Sequence, residues 1–165
     1  WLALDAPDRV AGLVLASTPT RGRALHTGGW RRAVDFARCM VRPARAAEAC
    51  LAVRVLSERF VATHPAAIAD IRARASMRPA SHRGLLTLLA AAATHDVDGH
   101  LDAIRADVLV IAGADDVLLP VAEQQRLAGR LGRSCFVVIP DAGHDVSAEV
   151  PDAVAALVAA HALPA

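Results

Sequence analysis

The sequence predicts an α/β fold with parallel strands, and two observations support this prediction. Three short segments are apolar without alternation and rich in β-branched residues, namely residues 10–16 (VAGLVLA), 108–112 (VLVIA) and 135–139 (CFVVI). Continuous hydrophobicity is typical of strands that are covered on both faces, and such strands belong to parallel sheets. Helical patterns follow the second and third segments, as an alternating α/β chain requires.

The elements can be justified in chain order. The chain opens on Trp1 with no initiator Met and no signal-peptide pattern, and its first residues are typical of the interior of a helix. The first strand, residues 10–16, comes next. Pro120 and Pro151 then begin two segments with apolar residues at helical spacing, one after the second strand and one after the third.

A long Ala- and Arg-rich stretch, from Thr20 to about Leu101, separates the first two strands. Its prolines Pro43, Pro65 and Pro79 each stand where a new helix can begin. Apolar residues recur at helical spacing and opposite charges lie four residues apart, as in Leu51, Val55, Ile68 and Ile71 and in the pairs Arg31–Asp35 and Asp70–Arg74. We expect a bundle of three or four helices, with a role besides connection because a crossover needs far fewer residues.

The composition excludes several classes of function. The chain has 165 residues, enough for one domain with a core and a small helical appendage. Its 18 basic residues are all Arg and are balanced by 17 acids, so the formal net charge of +1 gives no basic field for nucleic acid. No apolar run reaches the ~18 residues of a membrane span, so we expect no membrane partner and a cytoplasmic protein.

The three cysteines, Cys39, Cys50 and Cys135, are odd in number and far apart in the sequence. This spacing fits neither a disulfide framework nor a set of paired metal ligands. We therefore expect reduced, partly buried thiols.

Polar residues at the ends of the second and third strands form the candidate site. The second strand is followed by Asp115 and Asp116, and the third runs into "IPDAGH", which ends at His144. Ligands bind beyond the carboxyl ends of parallel strands, so an acid and a histidine on successive strand-end turns are within reach of each other. A carboxylate that accepts the Nδ1 proton of an imidazole leaves Nε2 free to take a proton from a nucleophile.

Three stretches in this order resemble the C-terminal part of an α/β-hydrolase-fold enzyme, over essentially the whole chain. "WLALDAPDRVAGLVLAST" resembles the helix after the nucleophile elbow and the sixth strand, and "HDVDGHLDAIRADVLVIAGADDVLLP" the end of the cap, the seventh strand and the acid turn. "IPDAGHDVSAEVPDAV" resembles the histidine loop. The resemblance implies a partial fold with a three-stranded parallel sheet, core parts at residues 1–20 and 101–165, a helical cap at 21–100, and no metal or organic cofactor.

Carried over by this resemblance, the acid of the catalytic triad is Asp116 and the base is His144. Asp115 is the alternative acid, although a turn residue whose side chain bonds the local backbone is the simpler interpretation of it. A hydrogen-bonded turn histidine is the alternative for His144.

The segment "HDVDGH" offers a weaker candidate site. His95, Asp96, Asp98 and His100 can be read as a metal cluster, but a polar turn at the end of a helix is favoured because this spacing does not enforce the geometry of a metal site. The other histidines are interpreted as surface or cap residues: His26, His64, His82 and His161.

No nucleophile accompanies the acid and base. The family needs a Ser, Cys or Asp on a tight strand-to-helix turn, usually G-x-S-x-G, and the chain contains no such pattern. Ser17 ends the first strand, but Thr18-Pro19 follows it, which is typical of a strand exit. By resemblance the nucleophile lies before Trp1, so this chain carries two of three triad members and is expected to be inactive alone.

The resemblance implies a parent enzyme that cleaves an ester, lactone or similar bond in a small apolar substrate. Two alternatives stay open: a truncated or degenerate relative that acts as a binding module, and a dehalogenase or haloperoxidase of the same fold. An unpaired apolar strand at residues 10–16 also predicts self-association. Several residues of the cap either line the pocket or pack within the cap: Trp30, Phe36, Met40, Phe60 and Met77.

Overall fold

Three parallel strands form the centre of the fold. The computed structural model describes residues 1–22, 29–77 and 81–162, with the backbone alone at 29–33, 44–45, 82 and 162. The strands are β1 (Gly12–Ala16), β2 (Asp107–Gly113) and β3 (Ser134–Ile139), in the order β1-β2-β3 with parallel pairing throughout. The predicted α/β fold with a three-stranded parallel sheet is confirmed.

The first strand starts two residues later than predicted. Val10 ends a short 3-10 helix, Pro7–Arg9, and its backbone N–H donates to the carbonyl of Pro7 at 3.1 Å. That N–H is therefore used in a turn and not in the sheet.

Helices flank the sheet and fill the long connection between β1 and β2. Within the described residues they are α1 (Leu2–Asp5), α2 (Gly29–Met40), α3 (Ala44–Arg54), α4 (Glu58–Thr63), α5 (Pro65–Met77), α6 (His82–Thr94), α7 (Val121–Arg130), α8 (Val146–Glu149) and α9 (Pro151–Ala162). None of these described helices is long and apolar enough to cross a membrane.

The connection between β1 and β2, here called the insertion, holds five helices among the described residues, α2 to α6. The prediction of three or four helices missed the short α4. Ser57 starts this helix, since its Oγ accepts the backbone N–H of Phe60 at 3.2 Å. Predicted helix starts at Pro43 and Pro65 match α3 and α5, whereas Pro79 lies outside the described residues.

The central strand β2 is buried on both faces, as its continuous hydrophobicity predicts. Val108 and Val110 pack with Leu127 of α7 on one face of the sheet. Leu109 and Ile111 pack on the opposite face, against the segment that contains α8 and α9. This two-sided burial fixes β2, and with it the turn that follows Gly113.

A separate hydrophobic cluster lies inside the insertion, formed by Val53, Leu56, Phe60 and Ile68. The predicted Asp70–Arg74 pair forms within α5, with 2.7 Å between Oδ2 and a guanidinium nitrogen. The Arg31 side chain, and with it the predicted Arg31–Asp35 pair, lies outside the described residues. Asp35 pairs with arginines of α2 and α3, Arg38 and Arg54.

A disulfide bond joins Cys39 of α2 to Cys50 of α3, so the prediction of reduced thiols is wrong for these two residues. The packing of α2 against α3 brings the two Cα atoms to 5.5 Å, within the range that a disulfide needs. That proximity depends on tertiary packing, which sequence spacing does not reveal. Cys135 is free, as predicted, but exposed.

The two ends of the insertion pair with each other in what we call the stem, residues 20–22 and 95–98. The N–H of Gly22 donates to the carbonyl of His95 at 2.9 Å, and the N–H of Val97 donates to that of Thr20 at 3.0 Å. Arg21 and Asp96 form an antiparallel bridge between these two hydrogen bonds. The chain therefore leaves the sheet and returns to it at neighbouring points.

Asp98 holds the stem to α7. Its buried carboxylate accepts a hydrogen bond from Thr20 Oγ1 at 3.0 Å and pairs with Arg21, Arg126 and Arg130 at 3.0, 2.8 and 3.4 Å. The hydrogen bond from Arg126 is the largest of several effects that together lower the pKa of the Asp98 carboxyl below its usual value. The polar-turn interpretation of "HDVDGH" fits this network, and no cluster suited to a metal ion occurs among the described residues.

Candidate active site

Asp116 and His144 meet at the carboxyl end of the sheet. The Nδ1 atom of His144 lies 2.9 Å from Oδ2 of Asp116. The strands β2 and β3 are adjacent, with Gly113 opposite Ile139, so the turns that follow them begin side by side. The two residues predicted from the sequence as acid and base are thus in hydrogen-bond contact.

The backbones of the two turns are in contact at Gly113, where there is no room for a side chain. A Cβ atom at Gly113 would lie 2.1 Å from the carbonyl oxygen of Gly143, so the neighbouring backbone would have to move. Hydrogen bonds join the same turns, from the N–H of Ala114 to the carbonyl of Ile139 and from that of Asp115 to the carbonyl of Ala142, both at 2.9 Å. This packing holds the acid turn against the histidine turn.

The carboxylate of Asp116 is fully buried and bonded on both oxygens. Oδ1 accepts the backbone N–H groups of Leu118 and Leu119 at 2.8 and 2.9 Å. Oδ2 faces His144 and also lies 3.5 Å from the amide nitrogen of Gln124. These contacts fix the carboxylate plane, and with it the direction from which the imidazole approaches.

Asp115, the alternative acid, is exposed, and its side chain forms no hydrogen bond with His144 in the part of the chain that is described. Its backbone N–H bonds the turn before His144, as noted above. The structure thus distinguishes between the two neighbouring acids and brings Asp116 to the imidazole.

The imidazole of His144 is held on one side and open on the other. Its side chain is 22% exposed, with Nδ1 toward Asp116. Among the described residues, none forms a hydrogen bond with Nε2. An imidazole held in this way can accept a proton at Nε2 from a group outside the described contacts.

Two polar residues near this pair were missed by sequence reasoning. Gln124 is fully buried on α7 beside Asp116. Glu149, which belongs to the quoted histidine-loop stretch but was given no role, is buried and accepts the N–H of Gly143 at 3.0 Å. The one sequence signal for Gln124 and Glu149 is that each is a polar residue at a helical position expected to be buried. This signal does not identify the residue that each one contacts.

Ser17 does not join the pair. It continues the ladder, with its N–H on the carbonyl of Ile111 at 3.0 Å, and it has a positive φ of 45°. Its hydroxyl is buried and has no hydrogen-bond partner among the described residues. No helix begins directly after Ser17 in the described chain. This agrees with the prediction that Thr18-Pro19 ends the strand.

The candidate pocket residues of the cap lie in different environments. Phe60 belongs to the core of the insertion, Phe36 and Met77 are exposed, and Met40 is half-buried, while the side chain of Trp30 lies outside the described residues. Two pockets of about 350 and 300 Å³ occur in the described chain, one beside Asp107 and His161 and one beside Arg59 and His64, which Phe60 also lines. Neither of these two pockets is lined by Asp116 or His144.

The chain is similar in sequence and in structure to several enzymes. A carbamate hydrolase by name, RutD of Variovorax paradoxus, is 30% identical over 151 residues, which are 87% of this chain and 53% of that protein. The structure of a thermophilic esterase from Thermogutta terrifontis matches 96% of this chain with a TM-score of 0.74 and 28% identity. An enzyme that degrades N-acyl homoserine lactones matches 96% with a TM-score of 0.73 and 25% identity.

The chain spans little more than half of each of these relatives. It covers 57% of the esterase chain and 61% of the lactone-degrading enzyme, and 53% of the curated relative. No family model matches the chain.

Proposed function

Since this chain belongs to the α/β-hydrolase fold family, we propose that Asp116 and His144 are the acid and the general base of a triad that cleaves carboxylic esters or lactones. The observation that carries the proposal is the 2.9 Å contact between Nδ1 and the buried carboxylate at the carboxyl edge of the sheet. Ligand sites of parallel sheets lie at this edge.

The proposed mechanism follows from the two faces of the imidazole. A nucleophile hydroxyl outside this chain gives its proton to Nε2 while its oxygen forms a bond to the substrate carbonyl carbon. The bond to the leaving oxygen then breaks, and that oxygen takes the proton from Nε2. Water repeats both transfers and releases the acid. Asp116 keeps the Nδ1 proton in place and stabilises the imidazolium formed between the two transfers.

The substrate class rests on what the related enzymes have in common. An esterase, a lactone-degrading enzyme and a carbamate hydrolase by name all break a bond between a carbonyl carbon and a heteroatom. A small apolar ester or lactone is the proposed substrate, covered by residues 21–100 acting as a cap over core parts 1–20 and 101–165. The comparisons do not favour the alternative of a non-catalytic binding module. A dehalogenase or haloperoxidase of the same fold is the other alternative, and the residue at the nucleophile position distinguishes it from an ester or lactone hydrolase.

A cytoplasmic location is the remaining part of the proposal. Disulfide bonds persist mainly in oxidising compartments, so a cytoplasmic location predicts that Cys39 and Cys50, which form a disulfide in the structure, are reduced in the source cells. Fractionation of the source cells would show whether the protein lies in the cytoplasm or in an oxidising compartment.

The test has two arms, both with p-nitrophenyl acetate and a simple lactone. Alone, this chain is expected to hydrolyse neither faster than its His144→Ala variant, since acid and base without a nucleophile give little catalysis. In a natural protein that includes this chain and a nucleophile elbow, His144→Ala is expected to lower kcat by about 10³-fold or more, whereas Asp115→Asn leaves it unchanged. Full activity of the longer protein after His144→Ala would overturn the proposal.

A further inference from the structure

The turn between α3 and α4, residues 55–57, lies directly against the histidine loop, residues 140–149. The backbone N–H of His144 donates to the carbonyl of Val55 at 2.9 Å. The N–H and Oγ of Ser57 donate to the carboxylate of Glu149 at 2.9 and 2.5 Å. The insertion therefore contacts the core at two places, at the stem, which meets α7, and at this turn, which meets the histidine loop.

Glu149 is the centre of this contact. Its Oε1 accepts the N–H of Ser57 and the N–H of Gly143, and its Oε2 accepts the hydroxyl of Ser57. The residue is only 8% exposed, so water cannot easily replace these bonds. Hydrogen bonds to a buried charged group are among the strongest in proteins, and leaving their donors unpaired is costly.

The packing around this carboxylate leaves no space for a side chain at Gly143. A Cβ atom at Gly143 would lie 2.5 Å from the backbone nitrogen of Ser57 and 2.6 Å from Oε1 of Glu149. Gly143 directly precedes His144, so its backbone is fixed immediately before the imidazole-bearing residue. A hydrogen bond to the carbonyl of Val55 fixes the N–H of His144 itself.

We propose that Glu149 is a positioning residue for His144. It locks the peptide before His144 to the turn of the insertion, so that the imidazole meets Asp116 in a single orientation. The insertion then supports the base in addition to any role over the substrate. This inference rests on the proposed function for its catalytic meaning, but the geometry that it claims can be measured in this chain without turnover.

The experiment uses ¹⁵N-labelled histidine and amide exchange, measured by NMR in this chain. In the unmodified chain the proton on Nδ1 of His144 is expected to be protected and the Gly143 amide to exchange slowly. Glu149→Gln keeps the shape but replaces the charged acceptor by a neutral amide whose NH₂ faces the Ser57 hydroxyl. We expect loss of the protected Nδ1 proton signal and about tenfold faster exchange of the Gly143 amide.

The matched control is Asp141→Asn. Asp141 of the histidine loop pairs with Arg59 of α4, two residues after the turn, but both side chains are exposed, so the His144 signal is expected to persist. Where Glu149→Gln does not fold, Ser57→Ala replaces it. This change removes one of the three bonds to Glu149 together with the cap of α4, and it is expected to give a smaller shift in the same direction, with the loss of α4 helicity checked by circular dichroism.

Two results would overturn the inference. One is a folded Glu149→Gln variant, as judged by circular dichroism, that keeps the protected proton and the slow Gly143 amide, which would leave Glu149 as a purely structural clamp. The other is an equal change in Asp141→Asn. Since neither result depends on hydrolysis, failure here is distinguishable from failure of the proposed function, which would show as unchanged kcat after His144→Ala.

Discussion

The two oxygens of Asp116 have different partners, and this difference makes the residue testable. Oδ1 faces two backbone donors, from Leu118 and Leu119, whereas Oδ2 faces the imidazole. In Asp116→Asn the remaining oxygen is expected to keep the two backbone donors, which turns the NH₂ toward His144. Because that NH₂ can only donate, Nδ1 must become the acceptor and the ring proton must move to Nε2.

The measurement is the ¹⁵N spectrum of His144 at a pH where the ring is neutral. The Nδ1–H form is expected in the unmodified chain and the Nε2–H form in Asp116→Asn. Asp115→Asn, one residue away and exposed, serves as the control and should leave the spectrum unchanged. Retention of the Nδ1–H form in Asp116→Asn would contradict the assigned contact.

Sequence reasoning placed an acid and a histidine on turns that follow successive apolar strands, and the resemblance to the α/β-hydrolase family implied that the acid is Asp116 and not Asp115. It did not reach the role of Glu149, whose partner Ser57 is 92 residues away along the chain. Nor did it reach Gln124, which lies beside Asp116 only because α7 folds back onto β2. A residue whose partner is distant along the chain produces no periodic pattern, so a single sequence does not identify that partner.

At the scale of elements, Asp98 links the stem to α7, and the low pKa of its carboxyl makes that link dependent on pH. A carboxyl whose pKa is lower in the folded than in the unfolded chain stabilises the fold fully above its unfolded value, about 3.9. This contribution is lost as the pH falls through the lower, folded value. The sign is therefore destabilisation by acid.

We expect Asp98→Asn to lower the urea midpoint at pH 7, and the difference from the unmodified chain to shrink as the pH falls below about 4. Asp102→Asn is the control, because Asp102 is 76% exposed and, among the residues that the structure describes, pairs only with Arg130, at 3.6 Å. It should change the midpoint little at any pH. A difference for Asp98→Asn that stays constant down to pH 2 would contradict the role of the charged form.

The elements themselves were predictable to different degrees. Strands β2 and β3 and helices α7 and α9 follow from hydrophobic runs and from prolines at helix starts. Helix α4 and the Cys39–Cys50 disulfide do not, since one begins at a single capping serine and the other needs two helices to pack. Periodic patterns and prolines predict long helices and strands. Helix α4 is too short to show such a pattern, and the disulfide depends on the packing of α2 against α3.

At the scale of the whole molecule, β1 is an edge strand of the described sheet, paired only with β2. Val14, at its centre, is 37% exposed. Unpaired backbone groups beside an apolar side chain invite a second strand, so we expect the chain to self-associate with rising concentration. Val14→Lys should favour the monomer, because lysine on an edge strand opposes pairing.

Light scattering during size-exclusion chromatography measures this effect. Val41→Lys is the control, since Val41 is 85% exposed but follows α2 in the insertion and is not part of a strand. It is expected to leave the association unchanged. A monomer for the unmodified chain at all concentrations would contradict the prediction.

The stem has a consequence for how such proteins diversify. Because Gly22 and His95 are already bonded to each other, any segment that joins them leaves β1 and β2 in register. The closure entropy of a loop rises only slowly with its length, so replacing the helices between these points by a short turn, or by a longer module, should leave the parallel ladder unbroken. This junction is thus a natural site for domain grafting, provided that Glu149 is given a new partner.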